Sequence, residues 1–92
     1  MELSKRLRAV AGLVTEGASV ADIGTDHGYI PIYLAAHGTA GKVIASDINE
    51  GPLERARIHI RGQKDVCGKI ETRRSDGLKA IKPGEADTMI AA

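Results

Sequence analysis

The stretch Val20-Ala21-Asp22-Ile23-Gly24-Thr25-Asp26-His27-Gly28 restricts the folds open to this chain more than any other. Val20, Ala21 and Ile23 lead in without clean polar alternation, as in a strand covered on both faces of a parallel sheet. Gly24 and Gly28 then bracket a turn, where a Cβ would block a tight bend or the close approach of a ligand. Tyr29 to Ala36 follows as a compact apolar run, with Pro31 near its start, where a missing N–H does little harm. Strand, glycine turn and helix in this order make the first unit of an open α/β sheet. Ligands of such sheets sit outside the carboxyl ends of the strands.

The remaining segments continue the alternation. Leu3 to Val14 reads as an amphipathic helix with Leu3, Leu7, Val10, Ala11 and Val14 at helical spacing. Strand one runs from Ser19 to Gly24, and its helix stops at His37-Gly38. Lys42 to Asp47 is a second strand that ends on a carboxylate. Asn49 then caps a helix over 51–61, in which Leu53, Ala56, Arg57 and Ile60 have helical spacing. Cys67-Gly68 is a turn. Lys69 to Arg74 is a third strand whose charge suits a sheet edge. Ser75-Asp76-Gly77, a short helical turn over 78–81 and Lys82-Pro83-Gly84 lead to a fourth strand from Ala86 to Ala92. The pattern predicts an α/β, Rossmann-like parallel sheet with strand order 3-2-1-4, right-handed crossovers and an N-terminal helix. Strand four is then an open apolar edge through which two copies could pair. A chain with that edge reads as the N-terminal part of a longer domain.

Composition narrows the class. Hydrophobic content of 42% and charge of 27% are those of an ordinary globular protein. Two tyrosines are the only aromatics among Phe, Trp and Tyr, so the core must be built from Ile, Leu, Val and Ala. No apolar run approaches the roughly 20 residues that cross a bilayer, and the charged N-terminus lacks the apolar region of a secretory signal. Both observations point to the cytoplasm. A single cysteine, Cys67, excludes an internal disulfide and a multi-cysteine zinc site. His37 and His59 read as helix-end or surface residues, and no spacing suggests a metal. Acidic residues gather around the glycine turn. Basic ones gather at Lys5, Arg6 and Arg8 and between Arg55 and Arg74, as either a solvated face or a phosphate-binding rim.

Each of the first three strands delivers a carboxylate near its carboxyl end: Asp22 or Asp26, Asp47 and Asp76. Asp47 lies 23 residues after Gly24, where a dinucleotide site places the acid that binds ribose hydroxyls. Asp76 with Gly77 stands where a third-strand loop can meet the exocyclic amine of adenine, and Asp22 and Asp26 can meet an ammonium group. A pyrophosphate calls for an open G-x-G-x-x-G loop. Here Thr25-Asp26-His27 fills the loop, and a carboxylate at Asp26 repels phosphate but suits a sulfonium. That predicts S-adenosylmethionine (SAM) rather than NAD. The alternatives are local: a cap at Asp22, plain turns at Asp47 and Asp76, a loop histidine at His27 and a packing ring at Tyr29.

The chain resembles the N-terminal part of the bacterial tRNA (adenine-22-N1)-methyltransferases, a family of class I SAM-dependent enzymes. The matching pieces are Leu3-Ser4-Lys5-Arg6-Leu7, Asp22-Ile23-Gly24-Thr25-Asp26-His27-Gly28-Tyr29-Ile30-Pro31, Ala45-Ser46-Asp47-Ile48-Asn49 with Gly51-Pro52-Leu53, and Arg74-Ser75-Asp76-Gly77-Leu78. The Asp-His-Gly-Tyr-Ile-Pro run is more specific than the general cofactor motif. The resemblance implies a SAM site at Asp22, Gly24, Asp26, Gly28, Asp47, Ile48, Asn49, Asp76 and Gly77. It also implies methyl transfer to adenine N1, with Asp26, His27 and Tyr29 as candidate catalytic residues and Lys5, Arg6 and Arg8 facing tRNA phosphates. The family continues after strand four with Gly-Met-Gly-Gly, where Ala91-Ala92 stands here. Other readings are a SAM enzyme with another substrate, an oxidoreductase fragment, or a noncatalytic SAM-binding module.

Overall fold

A computed structural model describes residues 5, 9, 12–25, 27–37 and 40–91. Its elements in chain order are β1 (Ala18–Ile23), α1 (Tyr29–Ala36), β2 (Ala40–Asp47), α2 (Glu50–Arg61), a 3-10 turn (Cys67–Lys69), β3 (Ile70–Arg74) and β4 (Thr88–Ala91). All strand pairings are parallel and the sheet order is β3-β2-β1-β4, as the alternation of elements predicts. The predicted N-terminal helix falls largely outside the described residues; within it, Lys5, Ala9, Gly12 and Leu13 are helical. The strand limits differ from the predicted ones by one or two residues at most ends, because ladder pairing rather than side-chain pattern sets them.

The core is aliphatic. Val20, Val43, Ala45 and Ile70 from the sheet pack with Leu34 and Ala35 of α1 and Ala56 and Ile60 of α2. Alternation along the strands sends Ala21, Ile44 and Ser46 to the opposite face, where they are also buried. Helix α2 shows the expected stripe: Leu53, Ala56 and Ile60 are buried. Arg57 departs from it. Its guanidinium pairs with Glu50 and Glu54 and reaches the Thr72 hydroxyl at 3.3 Å. These pairs are half-exposed and contribute little to stability. They bear on the reading of the basic segment for three of its cations. Arg57 and Arg61 are tied to glutamates of their own helix, and Arg73 to Glu71 and Glu85, so these three form a neutralised face and not a phosphate rim.

Asn49 sits at the N-cap of α2, but its side chain makes no cap bond. The Asp47 Oδ1 accepts from the Asn49 N–H at 3.0 Å instead, so the carboxylate that ends β2 also organises the turn into α2.

Gly28 precedes α1 at φ +78°, and a Cβ there would lie 3.2 Å from the Ala56 Cβ of α2. The glycine therefore serves both a left-handed conformation and a close approach between turn and helix. Gly28→Ala is expected to cost about 2 kcal/mol, from the left-handed penalty plus crowding. For a domain of this size that lowers Tm by roughly 8–15 °C. A thermal melt unchanged from the parent protein would count against this packing.

Candidate functional site

The carboxyl ends of the strands line up. Ile23 registers with Ser46 and with Ala91, and Asp47 registers with Arg74. The buried polar and charged side chains among the described residues are Asp22, Thr25, Ser46, Asp47 and Ser75, and all five lie at this one edge. Burying polar groups without compensation is costly, so a row of them at one end of an otherwise aliphatic core marks a place kept polar for a ligand.

The first turn is stitched to β2. The N–H groups of Gly24 and Thr25 both donate to the Ser46 carbonyl, at 2.9 and 2.8 Å, and the Ser46 hydroxyl donates to the Asp22 carbonyl at 3.0 Å. The Gly28 N–H closes the turn on the Thr25 carbonyl at 3.1 Å. Ser46 thus fixes how the glycine turn leaves the sheet. Its type and position gave no sign of that, since a strand serine usually reads as filler.

Asp22 is 1% exposed, and its Oδ1 has no hydrogen-bond partner among the described residues. Burial pushes its carboxyl up to about 6; the Thr25 hydroxyl pulls it down, and the nearby Asp47 carboxylate pushes it further up. The Thr25 hydroxyl acts through its dipole, since it too lacks a bond of good geometry among those residues. A buried acid with an orphaned oxygen is the environment that a cationic or N–H-bearing ligand group would relieve.

Asp47 ends β2 at 8% exposure, and its carbonyl accepts from the Ser75 N–H at 3.0 Å. The next residue, Ile48, is half exposed, and its carbonyl accepts from Arg74 Nε at 3.1 Å. Asp76 and Gly77 follow β3 as predicted, but Asp76 is exposed and pairs with Lys79 at 3.1 Å. Ser75, which the sequence reading passed over, is the buried member of this loop. Its hydroxyl donates to the Gly77 carbonyl at 2.7 Å and accepts from the Ala80 N–H at 3.1 Å. Arg73 holds the far side of the same loop, reaching the Ala80 carbonyl at 2.8 Å and both Glu85 oxygens at 2.6 and 2.7 Å. That pairing holds the Glu85 carboxyl down at about 2.

His27, Tyr29 and His59 form a cluster of rings, with centroids 5.3 Å apart for His27–Tyr29 and for Tyr29–His59 and 5.6 Å for His27–His59. His59 does not end α2 as a solvated residue: its Nδ1 donates to the His27 carbonyl at 2.8 Å. Tyr29 keeps 44% exposure. Asp26, Arg6 and Arg8 lie outside the described residues, and Lys5 is exposed. Among the described residues no group of three or more His, Cys, Asp and Glu could hold a metal ion, and no helix is long and apolar enough to cross a membrane.

Comparison with known proteins adds the following. Residues 3–92 match a family model described as a methyltransferase domain. The chain is 40% identical over its whole length to the tRNA (adenine(22)-N(1))-methyltransferase of Bacillus subtilis, and spans 38% of that protein. The structure of M. capricolum TrmK in complex with S-adenosyl-homocysteine superposes with a TM-score of 0.84 at 37% identity, over 95% of this chain and 39% of that one. Streptococcus pneumoniae Sp1610 in complex with S-adenosyl-L-methionine gives a TM-score of 0.86 at 34% identity, over 96% of this chain and 41% of its own.

Proposed function

Because the chain belongs to the methyltransferase domain family, we propose that it binds SAM at the carboxyl edge of its sheet and serves methyl transfer to N1 of adenine 22 in tRNA, in the cytoplasm. The observation that carries this reading is the row of buried polar residues at one edge, among them Asp22, whose Oδ1 has no hydrogen-bond partner among the described residues. The two acids fit a cofactor that is cationic and carries a ribose diol. Asp47 would take the ribose hydroxyls, Asp22 and Asp26 the ammonium group, and Ile48 an apolar contact beside Asn49. Gly24, where a Cβ would meet nothing within 4 Å, leaves the start of the turn open to close approach, while Gly28 lets the turn pack on α2. Asp76 and Gly77 would border the adenine, with Asp76 leaving Lys79 to do so.

SAM, when bound, supplies an electrophilic methyl on a sulfonium. The N1 atom of adenine already carries its lone pair, so no residue has to generate the nucleophile. The task left to this chain is to orient the base and exclude water, which together can supply much of the acceleration. His27 and Tyr29, whose rings stack, would hold the base plane, and Asp26 would accept from its N6 amine. N1 lies on the pairing edge, so the nucleotide must leave its stack to react. Lys5, Arg6 and Arg8 would meet tRNA phosphates, which give affinity and position but no base identity. The β4 edge is the surface through which two copies would pair.

An oxidoreductase reading is disfavoured by the loop Thr25-Asp26-His27, which lacks the open G-x-G-x-x-G pattern and carries an acid that repels a pyrophosphate. Calorimetric titration with SAM, S-adenosylhomocysteine and NAD tests this directly. Binding of the first two on the order of micromolar, with none of NAD, is expected. Transfer of labelled methyl to tRNA, compared with tRNA carrying guanine at position 22, then tests the substrate. NAD binding without SAM binding would sink the proposal.

A further inference from the structure

The turn between β1 and α1 is held at two points that belong to different elements. At its start, Gly24 and Thr25 donate to the Ser46 carbonyl of β2. At its end, the His27 carbonyl accepts from the Nδ1 of His59, in the last turn of α2. A carbonyl oxygen only accepts, so His59 must carry its proton on Nδ1. The same imidazole stacks on Tyr29, with ring planes 14° apart. The Gly28 to Ala56 approach lies beside this bond and brings the turn within reach of α2.

We infer that His59 is a positioning residue: its Nδ1–H fixes the His27 carbonyl and so sets the shape in which residues 25–29 face the cofactor and the incoming base. This rests on the SAM reading above only for its functional consequence. The geometry makes the donor, and not the ring, the operative group. The turn is short and leaves the sheet on a left-handed glycine at Gly24, φ +76°. Among the described residues, the Gly28 N–H to Thr25 carbonyl bond at 3.1 Å closes it from within, and the His59 bond adds a tether from a different element.

Two variants separate donor from ring. His59→Asn keeps an N–H near the Nδ1 position and loses the ring; His59→Phe keeps the ring and loses the donor. Losing one hydrogen bond to a carbonyl that stays poorly solvated is expected to weaken SAM binding by about five- to tenfold in the Phe variant, and by less than about twofold in the Asn variant. Long-range 1H–15N correlation of the wild-type imidazoles is expected to show His59 protonated at Nδ1. The amide resonances of residues 25–29 should shift in the Phe variant and stay near their wild-type positions in the Asn variant. An Nε2–H tautomer at His59, an unchanged Phe variant, or equal losses in both would overturn the inference. If the wild-type chain binds no SAM, the functional reading fails, while the tautomer and the amide shifts still decide the role of His59.

Discussion

Asp47→Ala is expected to remove SAM binding almost completely, by roughly 100- to 1,000-fold in Kd, the largest single effect in the molecule. A carboxylate has about four acceptor positions. One is occupied by the Asn49 N–H at 3.0 Å, which fixes the orientation of the group at the carboxyl end of β2. Two hydrogen bonds from a ribose diol to an ionised acceptor contribute about 1.5–2 kcal/mol each, and together that gives the stated range. The alanine also releases the Asn49 N–H at the start of α2, a cap loss of about 1 kcal/mol that shows as a Tm drop of roughly 4–8 °C. Asp47→Asn separates the two effects. It retains an acceptor for Asn49 and should keep Tm, while loss of charge and of one acceptor still costs about tenfold in affinity. Titration calorimetry of the parent and both variants measures the first quantity and a thermal melt the second. Retention of full affinity by the alanine variant would place the ribose elsewhere.

The sheet was legible in the sequence because local pattern and topology agree. Apolar strands without alternation, glycine or asparagine turns and helices of 8 and 12 residues leave few ways to connect a parallel sheet. The positions of Asp22 and Asp47 followed, since a residue at a strand's carboxyl end can only stand at that edge. What escaped depends on contacts between segments distant in sequence. His59 looked like a wet helix end because its helical position says nothing about the turn 32 residues earlier that reaches over to it. Asn49 carries the signature of a side-chain cap but makes no cap bond, since Pro52 at the third helical position has no N–H to offer, and the turn is held instead by the Asp47 carboxylate on the Asn49 N–H. At the β3–β4 loop the Asp76-Gly77 signature was legible, while Ser75, the buried polar residue that holds the loop, was not. Arg73 looked like a surplus charge on an edge strand and proves to clamp the β3–β4 loop through Glu85 and the Ala80 carbonyl. In each case the residue type was informative and the partner was not.

The buried Asp22 carboxyl sets opposing demands on stability and binding, and pH separates them. Its pKa rises from 3.8 in the unfolded chain to about 6 in the fold. Between these values the folded state holds a proton that the unfolded state has lost, so stability falls as pH rises through this window. The contribution is fully present below about pH 4 and gone above about pH 6. A shift of about two units corresponds to about 3 kcal/mol. Glu85 has the opposite sign: its depressed carboxyl contributes stability that is lost as pH falls through about 2. The difference between wild type and Asp22→Asn isolates the Asp22 part. The asparagine variant should melt higher than wild type at pH 7, by roughly 12–24 °C, and the gap should close toward pH 4. SAM affinity should move the other way. The ligand's ammonium needs the carboxylate, so wild-type binding should weaken by about tenfold per pH unit below 6, while the asparagine variant binds weakly and without this pH dependence. Melting curves from pH 4 to 7 and titrations at pH 5 and 7.5 measure both. A constant gap in Tm across the range would mean that Asp22 is ionised throughout and that Thr25 or the turn compensates it. A stability rise at neutral pH coupled to loss of ligand would show why an acid is kept at this position: the fold carries the cost of a buried carboxylate so that the cofactor can pair with it.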